Sequence, residues 1–66
     1  MKNSLKVARA MNDITQQELA DAVQVSRQTI NAIEKGRFNP STLLSLKISR
    51  VLGVTVNDLF QIEDGD

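Results

Sequence analysis

A chain of 66 residues, 41% of them hydrophobic, has apolar surface for one small core and not for two. With neither cysteine nor histidine it has no disulfide framework and none of the usual zinc-ligand sets, so burial alone must hold the fold. Net charge is zero, but all eight basic residues lie in residues 1–50 against four acids there, while the last sixteen residues hold four acids and no base. The halves therefore carry +4 and −4, which suggests a basic working surface and an acidic tail kept away from it.

In chain order, Asn3 or Ser4 caps a first helix over about Leu5 to Met11, with Leu5 and Ala8 on one face, until Asn12 and Asp13 interrupt it. Thr15 and Glu18 form a Thr-x-x-Glu capping box that opens a second helix through about Val23, with Leu19, Ala22 and Val23 on its inner side. Ser26 caps a third helix from Arg27 to about Lys35, in which Ile30 and Ile33 face inward and Gly36 supplies the left-handed residue after the end. Phe38-Asn39-Pro40 reads as a loop, because proline holds the residue before it extended. Ser41 caps a fourth helix with the stripe Leu44, Ile48, Val51 and Leu52, ended by Gly53. Thr55 and Asp58 suggest another capping box for a short fifth helix through about Phe60, after which residues 61–66 form a short strand or fray. The whole reads as one domain, residues 1–66, with a core of about 4–60. No apolar run is long enough for a signal peptide or a membrane span, so a cytoplasmic location is the default and no membrane partner is expected.

The second and third helices are joined by only Gln24, Val25 and the cap Ser26, so they must cross closely. A close crossing needs a small residue at the contact, a turn residue, and a buried branched aliphatic to seat the second helix. Counted from Gln16, Ala20 stands fifth, Gln24 ninth and Ile30 fifteenth, which are the positions where a helix-turn-helix wants those residues.

On ITQQELADAVQVSRQTINAIEKGRFNPS and LKISRVLGVTVNDLF, the chain resembles the Cro/cI-type helix-turn-helix family of DNA-binding regulators, also called the XRE family. The resemblance runs from about Leu5 to Phe60 and implies an all-α, compact, five-helix lambda-repressor-like domain with the helix-turn-helix in helices two and three. It implies a third helix in the DNA major groove and a homodimer on a palindromic operator, the recognition helices about 34 Å apart. Two departures stand out. Gln24 and Asp13 occupy positions where relatives commonly carry glycine, which should lower stability through a left-handed backbone.

Carried over residue by residue, the base-reading positions of the family fall on Ser26, Arg27, Gln28, Asn31 and Ala32, with Thr29 in support. Arginine donates two hydrogen bonds to guanine O6 and N7, and glutamine pairs its amide with adenine N6 and N7. Ala32 offers a methyl contact at most. Gln16 falls where the family binds a phosphate at a helix N-terminus, and Lys35, Arg37 and Asn39 follow the recognition helix as a phosphate clamp. Arg9 is within reach of a phosphate too, but family members often use an arginine there for an internal ion pair with the glutamate matching Glu34, and that structural role is the favoured one for both. Homodimerisation is expected through Val56, Leu59, Phe60 and Ile62.

Each of these residues has a plainer reading. Arg27 and Gln28 alone describe a solvated helix face, and it is the frame of Gln16, Ala20 and Ile30 that turns them toward DNA. Phe38 and Phe60 read as packing residues rather than stacking platforms. Val7, Ala10 and Met11 form an apolar patch on the first helix, read either as tolerated surface residues or wider packing under the tail, or as a contact surface for a partner or second subunit. An enzyme is not expected: the chain has no histidine, cysteine or tyrosine and no glycine-rich phosphate loop, and no cofactor is implied. The competing function is an antitoxin or a protein-interaction adaptor built on the same fold.

Overall fold

The computed structural model describes residues 1–66 and runs β1 (Lys2–Asn3), α1 (Leu5–Met11), α2 (Gln16–Val23), α3 (Arg27–Glu34), α4 (Thr42–Leu52), α5 (Val56–Leu59) and β2 (Phe60–Gln61). Helix starts follow the expected caps. Thr15 Oγ1 accepts from Glu18 N at 3.0 Å while Glu18 Oε1 accepts from Thr15 N at 2.9 Å, completing the box. Ser26 and Ser41 accept from Thr29 N and Leu44 N at 3.2 and 3.1 Å. At α5 only half of the expected box forms: Thr55 Oγ1 accepts from Asp58 N, and the carboxylate of Asp58, one methylene shorter than a glutamate, makes no return bond.

The helix ends share one closure. Ile14, Val25, Arg37 and Val54 each donate a backbone N–H five residues back, to the carbonyls of Arg9, Ala20, Ala32 and Ser49, at 2.9–3.1 Å. The residue before each donor is left-handed: Asp13 (φ 53°), Gln24 (φ 62°), Gly36 (φ 72°) and Gly53 (φ 69°). This is the Schellman arrangement, which satisfies carbonyls that the helix leaves free. Asp13 and Gln24 thus adopt the conformation that glycine would take without strain.

The core joins Leu5 and Ala8 of α1, Leu19, Ala20 and Val23 of α2, Ile30 and Ile33 of α3, Ile48 and Leu52 of α4, Leu59 and Phe60. Ala20 is fully buried where α2 crosses α3, as a small crossing residue must be. Ala22, expected to face inward, is exposed. On α4 the buried stripe is Ser45, Ile48, Ser49 and Leu52, while Val51 is 39% exposed and Leu44 packs at the margin. Counting only apolar side chains passes over the serines. Small residues permit close packing, and the Ser49 hydroxyl is satisfied by donating to Leu46 O at 2.8 Å.

The chain termini supply the other difference. β1 pairs antiparallel with β2, Lys2 opposite Gln61 and Asn3 opposite Phe60, and Ser4 N donates to Leu59 O at 2.8 Å. The expected strand in the tail therefore begins one residue early, at Phe60, and finds its partner at the N-terminus. Ser4 stands at the cap of α1 but makes no side-chain cap bond; Asn3 Oδ1 accepts from Leu5 N at 3.1 Å instead. Pairing β2 with β1 also turns Leu59 and Phe60 into the core, where they are 1% and 9% exposed. Their side chains pack inside the fold, which leaves little of either to the dimer surface expected there. Ile62, 85% exposed, and partly buried Val56 remain.

Candidate nucleic-acid interface

Ile30 and Ile33, both fully buried, fix how α3 is rotated about its own axis. With those two turned inward, Arg27 and Gln28 are exposed and Asn31 and Ala32 half-buried at the outer side. The last turn of α3 is held by polar bonds as well. Arg9 Nε reaches Glu34 Oε2 at 2.9 Å, and Arg9 Nη1 donates to Ile14 O at 2.9 Å, so one guanidinium ties α1 to the end of α3 and to the turn before α2. Gln16 Nε2 donates to Glu34 Oε1 at 3.2 Å from the first residue of α2. Asn3 Nδ2 donates to Ile33 O at 2.8 Å, satisfying a carbonyl of the last turn.

The structure sorts the candidate readers into two groups. Arg27, Gln28, Asn31 and Ala32 line one shallow concavity of about 300 Å³ together with Arg37. Ser26 and Thr29 stand outside it. Their hydroxyls lie 3.0 Å apart and Ser26 Oγ also takes the N–H of Thr29, so both serve the helix cap. The chain's ion pairs use only the Met1 ammonium and Arg9, leaving the guanidinium groups of Arg27 and Arg37 without an acidic partner.

The candidate phosphate contacts are likewise divided. Gln16 begins α2, where the first N–H groups precede the helix's own ladder and favour an anion, while its side chain is held by Glu34. Lys35 is exposed at the end of α3 and lines a different cleft, with Met1, Lys2, Asn3, Glu34, Gly36 and Glu63. Lys35 and Arg37, taken together as one clamp from the sequence, thus border separate surfaces. Asn39 is exposed in the following loop and Phe38 is 47% exposed, outside the core where packing was expected for it. The acidic tail is nearer the working end than the charge asymmetry implied, because β1–β2 pairing brings Glu63 to the Lys35 cleft.

That same pairing closes the termini through charge. The Met1 ammonium lies 2.8 Å from Asp66 Oδ1 and 3.6 Å from Glu63 Oε1. The hydrogen bond to Asp66 raises the ammonium pKa, and its counterpart lowers that of Asp66. Glu18 is lowered by the backbone N–H of Thr15 in the capping box. No group of three or more His, Cys, Asp or Glu side chains is placed to hold a metal ion, and no helix is long and apolar enough to cross a membrane. Val7 and Met11 are 61% and 81% exposed, so the apolar patch of α1 is not packed under the tail.

Two positioning residues escape a sequence reading. Asn3 looks like one of two alternative caps, and only the β1–β2 pairing shows that it also reaches Ile33 O. Gln16 looks like a free anion-binding side chain until Glu34 is placed beside it. For Arg37 a signal does exist in the sequence, since it follows Gly36 directly and the Schellman closure folds that position back on the helix.

Comparison with known proteins agrees with this geometry. A helix-turn-helix family matches residues 5–59. The chain is 50% identical over 66 residues to an uncharacterized HTH-type transcriptional regulator of Methanocaldococcus jannaschii, covering 100% of both. It is 44% identical over 64 residues to YgzD of Bacillus subtilis, another uncharacterized HTH-type transcriptional regulator, covering 97% of each. Among solved structures, the restriction-modification controller protein C.AhdI from Aeromonas hydrophila superposes with a TM-score of 0.77 at 27% identity, over 85% of each chain. The clp gene regulator ClgR from Corynebacterium glutamicum gives a TM-score of 0.77 at 35% identity over 82% of this chain, which spans 57% of that longer one. Matched over nearly all of its helical core, the chain belongs to the helix-turn-helix family of Cro/cI (XRE) type, and is a DNA-binding transcriptional regulator rather than an enzyme.

Proposed function

We propose that the protein is a sequence-specific repressor that binds a palindromic operator as a homodimer in the cytoplasm, with α3 in the major groove of double-stranded DNA. The observation that carries this reading is the concavity on the outer side of α3. Arg27, Gln28 and Asn31 present long polar side chains there, with no acid paired to either arginine, on a helix that two buried isoleucines and the Arg9–Glu34 pair hold in one orientation. Arg27 reads guanine and Gln28 adenine, Asn31 supports them, and Ala32 offers its methyl group. Ser26 and Thr29 shape the start of the helix. Gln16, Lys35 and Asn39 set the register on phosphates. One such helix touches too few base pairs to find a site alone, so a second copy on the next turn of the duplex supplies the rest. Ile62 and Val56 form its contact. Repression follows from occupancy, because a bound dimer excludes other proteins from the same DNA. Selection from random duplex DNA tests this: the protein should enrich a two-fold symmetric motif, and enrichment of no motif would contradict it.

The exposed Val7 and Met11 favour one second reading, an antitoxin or adaptor that engages a protein through α1. Val7→Lys combined with Met11→Lys would leave DNA affinity unchanged in both cases and abolish function in the cell only in the second.

A further inference from the structure

Three of the four Schellman closures place an apolar residue after the left-handed position. Ile14, Val25 and Val54 are all partly buried against the core. That is the usual partner arrangement, in which the side chain after the turn covers the helix it has just left. At the end of α3 the same position is Arg37, which is exposed and has no acidic partner. Its N–H donates to Ala32 O at 2.9 Å, so the residue that the closure sets beside Arg37 is the alanine of the recognition face. Arg37 and Ala32 then line one concavity with Arg27, Gln28 and Asn31.

We infer that Arg37 is a base-reading residue, working in the space that the short side chain of Ala32 leaves on the recognition helix. This inference rests on the DNA-binding role of α3 and replaces the phosphate contact expected for Arg37. Ala32 cannot reach a base edge with a hydrogen bond. A guanidinium brought over it from Gly36-Arg37 presents two parallel N–H donors, the pattern that matches guanine O6 and N7. The base pair so read lies beside those of Gln28 and Asn31, toward the C-terminal end of α3. Lys35, on the other cleft, keeps the phosphate role.

Selection from random duplexes with the wild-type chain, Arg37→Ala and Arg37→Lys separates the alternatives. Wild type should enrich a motif containing a guanine that both variants lose, with discrimination at that one base pair falling about 5- to 150-fold and the other positions kept. Arg37→Lys, which retains the charge but not the fork, should also keep the parent's salt dependence. Arg37→Ala that weakens every selected duplex by one factor, with the motif unchanged, would make Arg37 a phosphate anchor and overturn the inference alone. A wild-type chain that enriches nothing would overturn the DNA reading and this inference together. Because Arg37 is exposed, both variants should melt with the parent; if Arg37→Ala does not, Arg37→Lys decides the question.

Discussion

Glu34, at the last turn of the recognition helix, accepts from Arg9 of α1 at 2.9 Å and from Gln16 of α2 at 3.2 Å. The Glu34 side chain is 6% exposed and that of Arg9 16%, so each charge depends on the other for what water would otherwise supply. Removing one partner strands the other. Glu34→Ala or Arg9→Ala should therefore each destabilise by about 3 kcal/mol or more, a large share of the roughly 3–10 kcal/mol expected for a chain of this size. Arg9→Met with Glu34→Leu should recover most of that loss. Urea unfolding checks this, and single variants within 0.5 kcal/mol of the parent by such a measurement, on the order of a surface change, would contradict it.

Gln24 holds a left-handed φ of 62° in the turn of the helix-turn-helix and is exposed. A non-glycine residue there costs roughly 1–2 kcal/mol, and glycine gives back part of that in chain entropy. Gln24→Gly should raise stability by about 0.5–1 kcal/mol and the melting temperature by a few degrees. Gly53→Ala, at φ 69°, should move it the other way. Thermal melts of the two variants in parallel make the comparison.

The closure of Met1 on Asp66 has a definite pH window. The ammonium pKa is raised above its ordinary 8.0, so its contribution is complete below that value and disappears as pH rises through the raised one. Asp66 is lowered below its ordinary 3.8, so its contribution is complete above that value and disappears as pH falls through the lowered one. Asp66→Asn should thus lower the melting temperature slightly between those limits and leave it unchanged well outside them. Both groups are exposed, so the effect is small. Glu18 obeys the acid rule: Glu18→Gln should cost stability above the ordinary 4.5 and lose its effect as pH falls through the lowered value.

With Leu59 and Phe60 used inside the core, the proposed subunit contact depends on Ile62. Ile62→Asp should convert the dimer to a monomer in sedimentation equilibrium, weaken operator binding and leave the melting of the monomer unchanged. Sedimentation of the parent as a monomer at micromolar concentration, with no cooperativity on DNA, would contradict the homodimer.

The helices were legible because their signals are local. Thr15 with Glu18, Ser26, Ser41, Gly36 and Gly53 mark starts and ends through bonds to residues a few positions away. The β1–β2 pair was not, since Lys2 and Gln61 are brought together only by the packed helices between them. On α4 the apolar pattern finds Ile48 and Leu52 but not Ser45 and Ser49, which are buried by close helix contact that an apolar count ignores. On the recognition surface, Arg27, Gln28 and Asn31 follow from the burial of Ile30 and Ile33. The separation of Lys35 from Arg37 does not, because it depends on how the chain turns at Gly36.

Equilibrium binding to the selected duplex and to a scrambled duplex of the same composition, across a salt series, separates base reading by α3 from charge attraction alone. The parent should prefer the selected site by about 10³-fold or more and lose affinity steeply with salt. Arg27→Ala should lose most of its preference at one base pair, whereas Lys35→Ala should weaken both duplexes alike and reduce the salt slope by about 1. Equal affinity of the parent for both duplexes, or binding insensitive to salt, would contradict sequence-specific recognition by α3.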